Sequence, residues 1–400
     1  MANNSKEGSD LQGLATLLTD ASLGITDLVE AMHKRIVNPP FIPSTPIQHL
    51  ITNVAGVAYK NIKRGIRMAG KGLDKGLGVV AHVSGDNKRN NKIEIVRAVL
   101  NGLVGDYLEE KENPLAIEME FRFKGENIQF NSKQISETYP KVSGKILVMV
   151  HGSCMNDTQW TQNNHNHGIK LAEELHATPV FLYYNTGLHI STNGQKFNES
   201  LEDLIKNWPV PVQEINMVAH SMGGLVLRSA IHYGFQKKMK WTKQLAKIIF
   251  LGTPHHGAPM ERIGHYVDGI LEFIPYTKPF ARLGKMRSAG VTDLRYGAIV
   301  DEDWDSKDRF EITGDQRQHS ALPQWVDCYA IAAVNGKKKT KKNNNMSDGL
   351  VYVKSALGQH KNPVKDLNFN SANTQVIYNC SHRELLSNPE VFTIMKNWWS

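Results

Sequence analysis

Of the 400 residues, 40% are hydrophobic and 22% charged, enough to bury a large core and incompatible with a wholly disordered or collagen-like chain. The three cysteines, Cys154, Cys328 and Cys380, are odd in number and far apart, which argues against a disulfide framework or a zinc cluster. A net charge of +8 suits an anionic membrane or nucleic acid and says nothing about fold.

The polar opening MANNSKEGSD shows no secretory signal, so a cytoplasmic location is expected. The longest uncharged run, Ile36 to Tyr59, contains four prolines and several polar residues, so no membrane span is expected. Residues 9 to 112 read as helical, with Leu11, Leu14, Leu18, Ile25, Leu28, Val29, Met32 and Ile36 near helical spacing before the break at Pro39 and Pro40. Thr45 as N-cap with Pro46 at the first helical position predicts a second helix to Leu73. Its stripe of Ile47, Ile51, Val54, Ala58, Ile62, Ile66, Ala69 and Leu73 opposes Lys60, Lys63, Arg64, Arg67 and Lys71. Two readings stand: an interfacial helix on an anionic membrane surface, or a basic solvated face on a helix packed against the domain.

A third helix is predicted over about Ile95 to Leu108, stopping near Pro114. Leu115, Ile117, Met119 and Phe121 then alternate with charged residues, and Lys124 to Asn127 turns into Ile128 and Phe130, which predicts a half-exposed hairpin. From Lys145 the pattern is strand and helix in turn. Strands are expected over 145–150, 179–184, 214–219, 247–251, 326–333 and 375–379, and helices around 168–176, 195–207, 222–236, 276–286 and 389–398. A hairpin followed by βα units implies a mostly parallel sheet with an antiparallel edge and helices on both faces. The roughly 74 residues between Leu251 and Val326 exceed any connector and imply a cap or lid at about 254–325. Ile263, Tyr266, Val267, Ile270, Leu271 and Ile274 approximate one helical face there, to cover an apolar pocket or pack on the core.

The chemistry concentrates at four strand ends. An apolar strand runs into Ala219-His220-Ser221-Met222-Gly223-Gly224 and then a helix, the pattern of a nucleophile elbow. Small residues at 219 and 223 let a sharp turn thrust the Ser221 hydroxyl outward, and the helix N-terminus behind it favours developing negative charge. Upstream, Ile146 to Val150 ends in His151-Gly152-Ser153-Cys154, a glycine turn expected beside the elbow. Acyl transfer creates an oxyanion that the N–H groups of Met222 and Ser153 are placed to bind, with Cys154 as the alternative second donor.

A serine nucleophile needs a base and a carboxylate to orient it, here in the order serine, acid, histidine. Asp348 follows the strand 326–333 in Ser347-Asp348-Gly349, whereas Asp366 sits beside a surface lysine and Asp327 inside a predicted strand. His382 lies three residues after the last strand, where a loop swings an imidazole over the sheet.

VMVHGSCMNDTQW (148–160), VAHSMGGL (218–225), FLGTPHHGAP (250–259) and SDGLVYVKSALGQH (347–360) together resemble the lipase-like branch of α/β hydrolases, and most nearly bacterial relatives of GPI inositol-deacylases. The likeness runs over about residues 96 to 400 and departs from the common pattern in Ala219 for glycine and Ser153 for a bulkier apolar residue. It implies an α/β hydrolase domain at 113–400 behind a helical region at 1–112 with a polar start. It further implies a cofactor-free carboxylic-ester hydrolase with Ser221 as nucleophile, Asp348 as acid and His382 as base, acting on an ester with an apolar acyl group. An acyltransferase using the same acyl-enzyme, and a non-catalytic membrane- or partner-binding protein that keeps the fold, remain open alternatives. Oligomeric state is not legible.

Three further features carry weaker signals. His165-Asn166-His167 suggests a metal pair but lacks a third ligand, and reads as a polar loop or helix start, so no metal site is expected. His255 and His256 either line the pocket or serve the loop after their strand. Lys337 to Lys342 forms a basic loop without interleaved aromatics, so nucleic acid is not an expected partner.

Overall fold

The computed structural model describes Lys60, Lys63, Arg64 and residues 87–258, 287–309, 311, 314–337 and 346–399. The chain divides into two compact units, Met1–Asn87 with Glu110–Ala116, and Lys88–Glu109 with Ile117–Ser400. The helix expected over Thr45–Leu73, apart from Lys60, Lys63 and Arg64, lies outside the described residues, as do the helix expected at 276–286, the apolar face at 263–274 and most of the basic loop after Lys337.

Helix α1 (Asn87–Glu110) is interrupted at Val104, where φ is −141°. The sequence assigns it to the N-terminal region, yet from Lys88 to Glu109 it groups with the unit that carries the sheet. Its polar groups explain why. Asn101 Oδ1 accepts from the Ile117 N–H at 2.9 Å, and the backbone carbonyls of Gly102 and Gly105 accept from Ser288 Oγ and Asn185 Nδ2.

The hairpin is shorter than its alternation suggests. Strands β1 (Glu120–Phe123) and β2 (Glu126–Asn127) pair antiparallel, and helix α2 (Ser132–Thr138) follows, capped by Asn131. Strand β3 (Lys145–Val150) is buried beyond its first residue, as a near-continuous apolar run requires of a central parallel strand. A small hairpin, β4 (Thr161–Gln162) and β5 (His165–Asn166), leads into α3 (His167–Leu175). Then come β6 (Thr178–Tyr183), α4 (Ile190–Lys206), β7 (Glu214–His220), α5 (Met222–Gln236) and β8 (Leu245–Leu251). After α6 (Ala289–Asp293) the chain forms β9 (Asp327–Val334), α7 (Val353–Ala356), β10 (Thr374–Tyr378) and α8 (Pro389–Trp399).

The sheet order is β10-β9-β8-β7-β3-β6-β1-β2, parallel from β10 to β6 with β1 antiparallel to β6. Leu147, Met149, Val218, Ile249, Leu251 and Ile331 pack on one face with Leu171 of α3 and Val391 and Met395 of α8. Alternation sends Ile146, Val148, Met217 and Ile248, all fully buried, to the other face, where α4 and α5 pack together. Helix α4 starts at Ile190 rather than near 195, because its first turns carry buried polar residues that break the apolar period. Among them, Asn193 donates to the Asn185 carbonyl and Ser191 Oγ accepts from Trp304 Nε1. Among the described residues no helix is long and apolar enough to cross a membrane.

Candidate active site

Strand β7 delivers Ser221 at φ 54° and ψ −129°, a conformation unusual for a residue with a Cβ. The strained turn is held from both sides: the Ser221 N–H donates to the Leu251 carbonyl at 2.8 Å, and the Ser221 carbonyl accepts from the Gly224 N–H at 3.0 Å. A side chain at 223 would strike the carbonyl oxygens of Val150 and His151, and a Cβ at 152 would lie 2.9 Å from the Ser221 Cβ. The ends of β3 and β7 therefore touch, as the two glycine motifs require.

The turn after β3 places Ser153 on the same pocket as Ser221. Neither the Ser153 N–H nor that of Met222, the first residue of α5, donates to another group among the described residues. Cys154, the alternative donor, has a φ of 58° and gives its N–H to Thr186 Oγ1 at 3.0 Å. His151 is stacked on Tyr184 at 4.5 Å, donates from Nδ1 to the Gly152 carbonyl and accepts the Tyr184 hydroxyl at its own carbonyl. Complete burial pushes its pKa down to about 4, so the ring is neutral. Further along the same loop, Asp157 lies 3.6 Å from Arg122, which also meets Glu120 and Glu94 and rests 3.4 Å from the centroid of the Tyr183 ring.

Asp348 sits in the loop after β9 with its side chain 1% exposed. Its Oδ1 accepts from the N–H groups of Leu350 and Val351 at 2.9 and 2.7 Å, and its Oδ2 lies 2.6 Å from His382 Nδ1. His382 follows β10, and its Nε2 is buried without a hydrogen-bond partner among the described residues. No hydrogen bond joins it to Ser221, but both side chains face one pocket, as general-base geometry often stands before substrate binds. The pocket is apolar at Met155, Leu350 and Leu386 and polar at Ser153, Gln159 and Gln162. Gly252, at φ 59°, lies under the imidazole: a Cβ there would be 3.1 Å from His382 Cε1 and 2.8 Å from Leu385 Cδ1.

The rival carboxylates are elsewhere. Asp366 accepts from the N–H groups of His360 and Asn368, and with Asp327 it lines a different pocket, at the opposite end of β9. His255 and His256 do not line the pocket of Ser221. His255 is packed against Phe250 and Phe369, and His256 bridges Arg317 and the Gly358 carbonyl. His165 and His167 hydrogen-bond to each other at 2.8 Å, and among the described residues no three side chains are grouped to hold a metal ion. Sequence reasoning passed over Gly252, although a glycine directly after an apolar strand is a signal of close approach.

A parallel sheet with an antiparallel edge, helices on both faces and a serine at a strained strand-to-helix turn define the lipase-like α/β hydrolase fold. Residues 141–325 match the PGAP1-like alpha/beta domain family. No curated protein matches the chain in sequence. Among solved structures, it is similar to the mature lipase BlEst2 of Bacillus licheniformis, with 16% identity, a TM-score of 0.42, and coverage of 64% of this chain and 91% of that one. Aspergillus fumigatus lipase B gives 11% identity and a TM-score of 0.40 over 69% of this chain and 55% of that one. Legionella pneumophila phospholipase PlaB gives 15% and 0.36 over 53% of this chain and 45% of that one.

Proposed function

We propose that the protein is a serine-dependent carboxylic-ester hydrolase. Ser221 attacks the ester carbonyl, His382 takes the hydroxyl proton at Nε2 and returns it to the leaving alcohol, and water then resolves the acyl-enzyme by the same route. Asp348 holds the imidazole with its proton on Nδ1, and the N–H groups of Ser153 and Met222 receive the oxyanion. The observation that carries this reading is the 2.6 Å contact of Asp348 with a histidine whose other nitrogen is unpartnered on the pocket that contains Ser221. Met155, Leu350 and Leu386 favour an apolar acyl group.

A fluorophosphonate probe is expected to label the wild type, and Ser221→Ala to abolish labelling and to cut ester hydrolysis by at least about 10³-fold, since only binding and oxyanion stabilisation remain. Undiminished turnover by that variant would sink the reading. Hydrolysis of p-nitrophenyl esters of graded length, with and without an added alcohol, separates a hydrolase from an acyltransferase and sets the chain preference. A protein that neither labels nor turns over is a binding protein on a hydrolase fold.

The opposed apolar and cationic positions between Thr45 and Leu73 support attachment to an anionic membrane surface. Phosphatidylglycerol vesicles should float the intact protein at low salt and lose it as salt screens the charge. Flotation by a variant with Lys60, Lys63, Arg64 and Arg67 changed to Gln would remove the cationic face from the explanation.

A further inference from the structure

The segment from His382 to Leu386 reaches over the end of the sheet, and two of its carbonyls are held by imidazoles from distant elements. His220 Nε2 lies 3.1 Å from the His382 carbonyl oxygen, and His167 Nε2 lies 3.1 Å from that of Leu385. We infer that His220 and His167 are positioning residues, a pair of neutral imidazole donors that fix the His382 segment so that Nε2 stays aimed at Ser221. This rests on the serine-hydrolase reading given above.

The protonation pattern follows from elementary donor logic. A carbonyl oxygen only accepts, so each Nε2 must carry the hydrogen. In a neutral ring the Nδ1 is then a bare acceptor. For His167 that acceptor is filled by His165, whose Nε2 lies 2.8 Å away and must be protonated in turn. The chain His165 to His167 to the Leu385 carbonyl therefore has one direction, and it selects the tautomer of His167. Phe392 of α8 braces it, stacked on His167 at 5.9 Å and edge-on to His165 at 5.3 Å. For His220 the Nδ1 is buried and unpartnered, which leaves Nε2 as the nitrogen that bonds. Its ring centroid is 4.7 Å from that of His382.

Both rings are suited to a fixed role beside a group that gains and loses a proton. Burial holds His167 down at about 3, and burial together with the neighbouring His382 charge holds His220 well below its ordinary value. The two donors consequently keep the same hydrogen bonds whichever form His382 takes. The His382 N–H, which donates to the Asp348 carbonyl at 3.0 Å, supplies a third fixed point. A merely space-filling residue at 167 or 220 would pack similarly but leave a carbonyl unheld.

The test compares His220→Leu, His167→Leu, His220→Gln and His167→Gln, since a Gln amide nitrogen reaches about as far as Nε2 and keeps the donor. For each Leu variant, kcat should fall about 10- to 100-fold while KM stays within about threefold, because a displaced base spoils alignment rather than binding. Each Gln variant should recover most of the loss, and the rate of fluorophosphonate labelling should follow kcat. Nitrogen-15 spectra of the wild type at neutral pH should show both rings as Nε2–H tautomers, a measurement that needs no variant to fold. An Nδ1–H tautomer at either ring overturns the proposal, as does a folded Leu variant with wild-type kcat or a Gln variant no better than Leu. If the wild type labels normally and only these outcomes fail, the serine-hydrolase reading stands; a wild type that does not label overturns both.

Discussion

His382 and Asp348 are joined twice: the imidazole Nδ1 meets the carboxylate at 2.6 Å, and the backbone N–H of the histidine donates to the backbone carbonyl of the aspartate at 3.0 Å. The carboxylate thus acts on a ring whose own main chain is tied to the same residue, and its orientation is set by two bonds of different kinds. The remaining carboxylate oxygen is occupied by two backbone donors, so Asp348 cannot turn away from the ring without leaving buried groups unpaired.

Asp348→Asn should fold and yet lose most activity, by about 10³- to 10⁴-fold in kcat, because an amide no longer selects the Nδ1–H tautomer. Asp366→Asn, made in parallel, should retain wild-type kcat/KM, since that carboxylate serves the turn around His360 and Asn368. Steady-state kinetics on one p-nitrophenyl ester decides between them, and the reverse ranking would move the acid to Asp366.

Replacing Gly252 by Ala places a methyl against the His382 ring and Leu385 at a left-handed position. The backbone conformation alone should cost about 1–2 kcal/mol, a fall of several degrees in Tm. Ring displacement should lower kcat by about tenfold or more at temperatures where the variant is fully folded. Calorimetry together with kinetics reads the two effects separately.

Stability should decline as pH falls below the ordinary histidine range. His151 and His256 have folded pKa values pushed down to about 4 by burial, and His220 and His255 are pushed well below normal by the same cause. The unfolded chain therefore binds protons that the native state refuses, so the stabilisation is whole above about pH 6.5 and drains away toward pH 4. For His151 the loss at pH 5 is about 1–2 kcal/mol. Asp157, raised to about 6 by burial despite Arg122, opposes this, because the folded state takes up its proton first and the cost of its buried charge is relieved as pH falls. With more depressed histidines than raised carboxylates, urea midpoints measured from pH 8 to 4 should be level at first and then drop; a rise on acidification would refute the assignment.

Arg122→Met should be strongly destabilising, by about 3–5 kcal/mol, because the buried Asp157 loses its neighbouring cation while Glu94 and Glu120 each lose a contact. Urea denaturation measures the loss. The loop from His151 to Trp160 is expected to loosen first, detectable as faster amide exchange there than in β7.

The parallel strands were legible to within about two residues because strands buried on both faces read as unbroken apolar runs, as at 146–150 and 248–251. Ser221, Asp348 and His382 were each singled out by a place after a strand; Asp348 lies 2.6 Å from His382, and His382 and Ser221 line one pocket. Less visible was anything that depends on polar burial. Ser191 and Asn193 concealed the first turns of α4, and the solvent-like look of His165-Asn166-His167 concealed a ring seated under Leu385. The contact of His167 with Leu385 joins residues 218 positions apart, and no local period announces it. The hydrogen bond of the Cys154 N–H to Thr186 Oγ1 was hidden for a related reason: Thr186 enters from another strand's loop.

Among the described residues, strand β10 stands at one border of the sheet and pairs with β9 alone, and His382 hangs from its end. During synthesis the elbow at Ser221 leaves the ribosome about 160 residues before that histidine. A nascent chain paired as far as β9 would display the serine with no imidazole to awaken it. The proposed reactivity would then begin only when β10 zips onto the border, which makes ester turnover a reporter of that pairing, silent in every intermediate in which β10 is still loose.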